Sequence, residues 1–288
     1  MKGEILRDEP LSKHTSFGIG GPADFFVRPK TEEDMVAVLG LAKAHGVPLM
    51  VIGLGTNLLV GDGGIRGLVM DLSAACHQLE EQPDGLRAGS GVSVTELLDF
   101  CSRREWGGLE FMAGIPGSVG GAVRVNAGAW DESIGQLLRT IRGYDLSGQA
   151  VSLESSHLHF RYRRSDLSAD LVITEVEFSL MRTTRQVIEA RIKEFLRRRS
   201  SQPTGQRSAG CVFKNPPGNA AGRLIEESGC KGLRVGDAEV SCAHANFIVN
   251  RGEATAAEVK QLVEKIHARV KEQFGIDLER EILLVGEK

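Results

Sequence analysis

The run AGIPGSVGGAVRVNAGAW, residues 113–130, decides how this chain is read. Gly114, Gly117, Gly120, Gly121 and Gly128 crowd into it, with Pro116, Ser118, Ala122 and Asn126 among them. Only glycine takes positive φ, or lets another group touch the main chain, without steric cost. Two readings are open on chemistry alone: a buried hairpin with a cis or strained Pro116, or a bulky ligand lying on bare main chain. An earlier run, VIGLGTN at 51–57, offers Gly53 and Gly55. It lacks the third glycine of the dinucleotide fingerprint, because Leu58 stands there, and the LLVGDGGIRGLVM that follows reads as strand, turn, strand. No G-x-x-x-x-G-K-[ST] occurs, which removes the P-loop. Each Gly-rich turn leaves an apolar strand and carries hydroxyl or amide side chains (Thr56 and Asn57; Ser118 and Asn126). Such a pair can present N–H groups to a pyrophosphate from both sides.

The rest of the chain limits what that ligand could be. Its 288 residues suggest about two domains and a sizeable core. With 41% hydrophobic and 25% charged residues and a net charge of −3, it has no bias toward nucleic acid or an anionic membrane, so an anionic ligand must find a local patch. Cys76, Cys101, Cys211, Cys230 and Cys242 are odd in number and free of C-x-x-C spacing, which points to a reducing cytoplasm. The N-terminal MKGEILRDEP has no apolar core for a signal peptide, and no stretch reaches the roughly 18 apolar residues of a membrane span. The protein is expected to stay where it is made.

Helix and strand signals alternate along the chain. Residues 31–46 read as a helix: Thr31 can cap it, acids fill the first turn, Met35, Leu39 and Ala42 recur at helical spacing, and Gly46 with Pro48 ends it. PLMVIG follows as a buried strand. A second unit repeats the pattern with the strand LRAGSG, a Ser93/Glu96 capping box, a helix through Trp106 and a stop at Gly107-Gly108. LVITEVEFSL, 171–180, alternates like a sheet strand, and the polar MRTTRQ after it marks a domain boundary near 185. Beyond it come a helix RQVIEARIKEFLRRR, a polar loop, a strand-like CVFKNP, a short helix over 219–228 and a longer one from Thr255, boxed by Glu258, to Gly275. The terminal DLEREILLVG reads as a strand with Glu279 and Glu281 on one face.

HTSFGIGGPADFFVRP, VIGLGTNLLV, AGIPGSVGGAVRVNAGA, YRRS, GCVFKNP, AGRLIEESGCKG, HANFIVN and the terminal REILLVG together resemble the UDP-N-acetylenolpyruvoylglucosamine reductase family, in the family's order from about residue 14 onward. The length and the short segment after YRRS resemble its short-loop type II branch. The resemblance implies an α+β fold: two FAD-binding subdomains of the vanillyl-alcohol-oxidase type, 1–72 and 73–184, and a C-terminal substrate domain, 185–288. It implies a noncovalent FAD held by Gly53, Leu54, Gly55, Thr56 and Asn57 from the first run. From the second run it takes Gly114, Ile115, Pro116, Gly117, Ser118, Gly120, Gly121, Ala122, Asn126 and Gly128. It also implies NADPH as co-substrate, UDP-N-acetylglucosamine enolpyruvate as substrate, a cytoplasmic monomer, and no nucleic-acid, membrane or metal partner.

Reduction of an enol ether at C3 leaves negative charge at C2 and on the adjoining carboxylate, so the site needs a cation there and a proton donor over C2. Arg163 matches the family's catalytic arginine in Y-R-x-S; a guanidinium stays charged and grips a carboxylate with two hydrogen bonds. Its plain alternative is a solvated basic edge, the reading preferred for Arg161 and Arg164. Glu281 resembles the family's catalytic glutamate, though periodicity alone cannot separate it from Glu279. Cys211 is a departure, standing where most members carry the proton-donating serine. A thiol, with an ordinary pKa of about 8.5, gives up a proton more readily than a hydroxyl, while an isolated cysteine can equally be an apolar filler. Tyr162, Lys214, Asn215, Arg223 and Asn246 are the candidates for holding substrate. His157-x-His159 and Cys242-x-His244 supply two ligands each and no third, so no metal is expected. Two other functions stay open: a different flavin oxidoreductase on the same scaffold, and a nucleotide-binding module, which would be colourless.

Overall fold

The computed structural model describes residues 2–287. Its contacts divide into two compact units: Met1–Leu6, Phe25–Leu54 and Gly67–Arg199 in the first, and Arg7–Asp24, Gly55–Arg66 and Ser200–Lys288 in the second.

In unit 1, Thr31 caps helix α1 (Glu32–Ala44), its hydroxyl accepting the Asp34 N–H at 3.2 Å, and three acids sit at the positive end of the helix dipole. Met35, Val38 and Leu39 pack with Val27, Met70, Leu72 and Cys76, and Ala42 is buried on the same helix. The next strand, Leu49–Ile52, lies parallel to Ile65–Asp71, with Leu49 opposite Leu68 and Ile52 opposite Asp71. The glycine run at 53 therefore leaves the end of a paired parallel strand.

The larger sheet of unit 1 is a five-stranded antiparallel one, in the order Ala150–Glu154, Leu138–Tyr144, Val172–Ser179, Gly85–Gly89, Leu79–Gln82. Helices α2 (Val94–Arg103) and α3 (Val119–Arg124) bury Val94, Leu97, Val119 and Val123 in one core with Leu86, Ala88, Val176 and Phe178 of the sheet. The expected Ser93/Glu96 capping box is present. α2 stops at Arg103 rather than running through Trp106, because Glu105 takes a left-handed φ of 59°. Trp106 then pairs in a short strand with Arg182, whose guanidinium lies 3.7 Å from the centre of its ring. Helix α4 (Arg185–Arg198) buries Ile188 and Phe195, the latter in the same core.

Unit 2 is built on a three-stranded antiparallel sheet, Arg234–Val235, Ala238–Val240 and Ile248–Asn250. Helices α5 (Ala221–Glu227) and α6 (Ala256–Phe274) share its core. The stripe expected on α6 is buried through Val259, Leu262, Val263, Ile266 and Val270, its Thr255/Glu258 box closes the N-terminus, and Gly275 ends it at φ 68°. Phe17, Ile19 and Leu59 complete this core from early in the chain. Of DLEREILLVG, only Leu283–Val285 is a strand, lying parallel to Leu58–Val60. The preceding residues instead trade hydrogen bonds with the 211–214 segment, so the alternation there reflects two short pairings rather than one strand.

Among the described residues no helix is long and apolar enough to cross a membrane.

Candidate flavin and substrate site

The run 113–130 is not a hairpin. It is a turn that delivers the chain into α3, with no cis peptide bond among the described residues. Gly114 (φ 78°) and Gly117 (φ 139°) adopt backbone that disfavours any other residue. Ser118 caps α3, its hydroxyl accepting the Gly121 N–H at 3.3 Å. A Cβ placed on Gly53 would lie 2.3 Å from that same hydroxyl, so within unit 1 the two glycine runs meet at Gly53 and Ser118. Around the meeting point Gly53, Leu54, Gly114, Pro116 and Gly121 are exposed, and Ile115 and Gly117 are partly so. Bare main chain and small apolar groups around a helix start suit a flat polycyclic ring with an attached diphosphate. The residues present fit FAD on this ground.

Other residues of the two runs face inward. Gly55 is buried at φ 60°, and a Cβ there would fall 2.1 Å from the His14 carbonyl oxygen. The HTSFG segment passes under it, Ser16 donating its N–H to the Gly55 carbonyl at 3.2 Å and its hydroxyl to the Ser208 carbonyl at 2.6 Å. Gly120 lets α3 approach Ser90, Gly128 lets the chain pair closely with Glu132, and Ala122 is buried. Thr56 is half-buried. The small residues thus serve two purposes, and spacing alone did not separate outward glycines from packing ones.

Arg163 stands at the tip of a two-residue hairpin in unit 1, between the paired segments Phe160–Arg161 and Arg164–Ser165. It is half-buried, takes a left-handed φ of 54°, and holds its guanidinium carbon 5.2 Å from the ring centre of Tyr162, which is exposed. Arg161 and Arg164 are both exposed, as a solvated edge requires.

In unit 2, Cys211 and Glu281 lie on adjoining segments. Cys211 bridges to Phe247, and Phe213 bridges to Arg280. The Glu281 N–H donates to the Val212 carbonyl at 2.8 Å, and the Lys214 N–H to the Glu279 carbonyl at 2.8 Å. Both Cys211 and Glu281 are half-buried, whereas Glu279 is exposed, a distinction that strand period could not make. Asn246, buried, uses its whole amide on Phe213: Oδ1 accepts the Phe213 N–H at 2.9 Å and Nδ2 donates to its carbonyl at 2.7 Å. Asn57 donates to the Glu281 carbonyl at 3.3 Å, and its own carbonyl accepts the Leu283 N–H at 3.0 Å. Lys214 is paired with Glu279 at 2.6 Å. Asn215 accepts the Ala221 N–H at 2.9 Å at the start of α5, and exposed Arg223 pairs with Glu227 at 3.1 Å. Burial pushes the thiols of Cys76 and Cys101 up to about 12. Among the described residues no group of three potential ligands could hold a metal.

A pattern described as an FAD binding domain matches residues 23–148, the stretch that holds both glycine runs. A second, the C-terminal domain of UDP-N-acetylenolpyruvoylglucosamine reductase, matches residues 202–285, from before Cys211 to beyond Glu281. The reductase of that name from Desulforamulus reducens is 43% identical over 100% of this chain and 95% of its own. The one from Moorella thermoacetica is 45% identical with the same coverage. The chain belongs to the UDP-N-acetylenolpyruvoylglucosamine reductase family. The crystal structure of the reductase from Thermus caldophilus superposes with a TM-score of 0.85, at 37% identity and 99% coverage of both chains. The α+β class and flavin-binding region expected of the reductase family are therefore those found. Arg163 falls between the two matched patterns, and the end-to-end likeness to whole reductases is what brings its hairpin within the family.

Proposed function

We propose that this chain is a cytoplasmic, FAD-carrying reductase that uses NADPH to convert UDP-N-acetylglucosamine enolpyruvate into UDP-N-acetylmuramate for peptidoglycan synthesis, acting as a monomer without a metal. The observation that carries this reading is the match, over essentially the whole of each chain, to reductases of that name. The functional division is into flavin subdomains at 1–72 and 73–184 and a substrate domain at 185–288.

An FAD held on the outward main chain of Gly53, Leu54, Gly114, Ile115, Pro116, Gly117 and Gly121 would supply the two-electron, hydride-level chemistry between NADPH and C3 of the enol ether. The task of the protein's own residues is then electrostatic and protic. Arg163 holds the substrate carboxylate with two charge-assisted hydrogen bonds, where the charge left by hydride addition accumulates. Cys211 gives its thiol proton to C2, and the thiolate is reprotonated from solvent. Glu281 stabilises the enolic form from its place beside the Cys211 segment. Tyr162, Lys214, Asn215 and Arg223 hold the nucleotide sugar, with Lys214 leaving Glu279 to do so.

Anaerobic mixing tests the proposal. NADPH should bleach the yellow protein, and enolpyruvyl nucleotide should restore the colour. A colourless protein, or colour restored only by oxygen, overturns it. R163A should lose about 2.7–4 kcal/mol of transition-state stabilisation in the second half-reaction, by analogy with loss of an oxyanion donor. C211S should keep most turnover, while C211A should bleach normally and regain colour slowly. Unchanged recovery in C211A removes the thiol from the mechanism.

A further inference from the structure

The second half of the glycine run has a task that its first half does not share. Asn126 is 4% exposed, sits at a left-handed φ of 45° and spends both ends of its amide on main chain, one of them in the Arg163 hairpin. Its Nδ2 donates to the Arg161 carbonyl at 2.8 Å, and its Oδ1 accepts the Gly135 N–H at 3.0 Å. Two residues earlier, the Arg124 carbonyl accepts the Ser165 hydroxyl at 2.7 Å. The Arg124 guanidinium donates to the Ser168 carbonyl at 2.5 Å and to that of Leu171. One tie therefore lands on each strand of the hairpin, and two more land on the segment that follows it.

The hairpin needs them. Only two residue pairs close it, Phe160 with Ser165 and Arg161 with Arg164, and an isolated two-stranded ribbon is marginal in water. Its tip also holds Arg163 in a conformation that a residue with a Cβ disfavours. Something outside the ribbon must over-determine that geometry. Asn126 is best placed to do so, because its bond lands on the carbonyl two residues before Arg163 and its opposite end is anchored to a different main-chain segment.

We propose that Asn126 is a positioning residue for Arg163, acting through the Arg161 carbonyl, so that the run carrying the cofactor surface also sets where the guanidinium stands. The proposal rests on the reading that Arg163 grips the substrate carboxylate. A misplacement of about 1 Å can cost about a hundredfold in rate, so a weakened tie is felt in the chemistry before the fold is lost.

The test uses FAD holoenzyme of wild type, N126D, N126A, R163A and N126D/R163A, with the two half-reactions followed separately by stopped flow. N126D is nearly isosteric, keeps an acceptor for Gly135 and loses the donor to Arg161, so it serves if N126A fails to fold. Bleaching by NADPH, measured per bound flavin, should stay within about twofold of wild type in N126D, while reoxidation by the enolpyruvyl nucleotide should slow by about tenfold to a hundredfold. In the R163A background the same change should add less than about twofold, since its effect passes through Arg163. Hydrogen exchange over residues 158–167 of the apoprotein should rise in N126D. Equal losses in both half-reactions, full additivity with R163A, or unchanged reoxidation or exchange would each overturn the proposal. R163A reoxidised at the wild-type rate would instead remove the reading on which it rests.

Discussion

Asparagine does one job repeatedly around the proposed site residues. Asn126 holds the segment before Arg163, Asn246 holds Phe213 two residues after Cys211, and Asn57 holds the carbonyl of Glu281. A planar amide offers a donor and an acceptor side by side, which matches what main chain presents. His244 extends the pattern on the Cys211 side. Its Nδ1 accepts the Asn246 N–H at 3.3 Å, its ring meets Phe247 edge-on at 5.1 Å, and burial holds its pKa below the ordinary histidine value of 6.5. The folded protein thus favours the neutral ring, and the unfolded chain binds the extra proton as pH falls. The stability contributed is fully present above 6.5 and is lost as pH falls through that value toward the lowered folded one. Thermal unfolding midpoints of wild type and H244N should therefore converge or cross between about pH 8 and about pH 5.5. Parallel curves would show that His244 is not the group responsible.

At the scale of elements, the helix starts divide into those closed from within and those closed from afar. Ser93 with Glu96 and Thr255 with Glu258 are boxes whose members stand three residues apart, readable wherever they occur. α6 has a second cap that is not readable: Asp62, 194 residues from Ala256, accepts the Ala256 N–H at 2.8 Å and the Ala257 N–H at 3.0 Å. A carboxylate on two open N–H groups at the positive end of a 19-residue helix adds charge to an ordinary cap. D62A should cost about 1–2 kcal/mol, and D62N, which keeps one acceptor, about half of that. Chemical denaturation measures both, and a D62A midpoint equal to wild type would show that Thr255 alone closes the helix.

At the scale of the whole molecule, unit 2 is assembled from three stretches of chain. Phe17 (0% exposed), Ile19 (3%) and Leu59 (1%) belong to the same core as Val212, Ile248, Leu262 and Ile282. Strand Leu283–Val285 also finds its partner at Leu58–Val60. A fragment of residues 185–288 would keep α5 and α6 but lack these three side chains and that strand. It should show helical circular dichroism without a cooperative melt, while the full chain melts cooperatively. A cooperative melt in the fragment would show that the early segments are dispensable. The outline of the fold was legible because capping, helical stripes and strand alternation are local signals, and because eight motifs in order resemble one family. Within the site, the kinds of residue were legible and their partners were not. Gly53 and Gly55 look alike in the sequence, yet one is exposed beside Ser118 and the other is buried against His14.

The sequence by itself determined where α1 and α6 begin, and that the main chain at 53 and 114–121 carries few large side chains, whereas of the strand Leu49–Ile52, expected to be buried, only Ile52 is. Those features follow from side-chain period, capping chemistry and the conformational freedom of glycine, which neighbouring residues express without reference to distant ones. Only the tertiary structure decided that Glu281 rather than Glu279 is half-buried, that Asp62 closes α6, and that Asn126 holds the Arg163 hairpin. Each of those depends on a hydrogen bond or a burial formed between segments far apart in the chain, and no local pattern encodes which distant carbonyl or N–H an amide or carboxylate will meet.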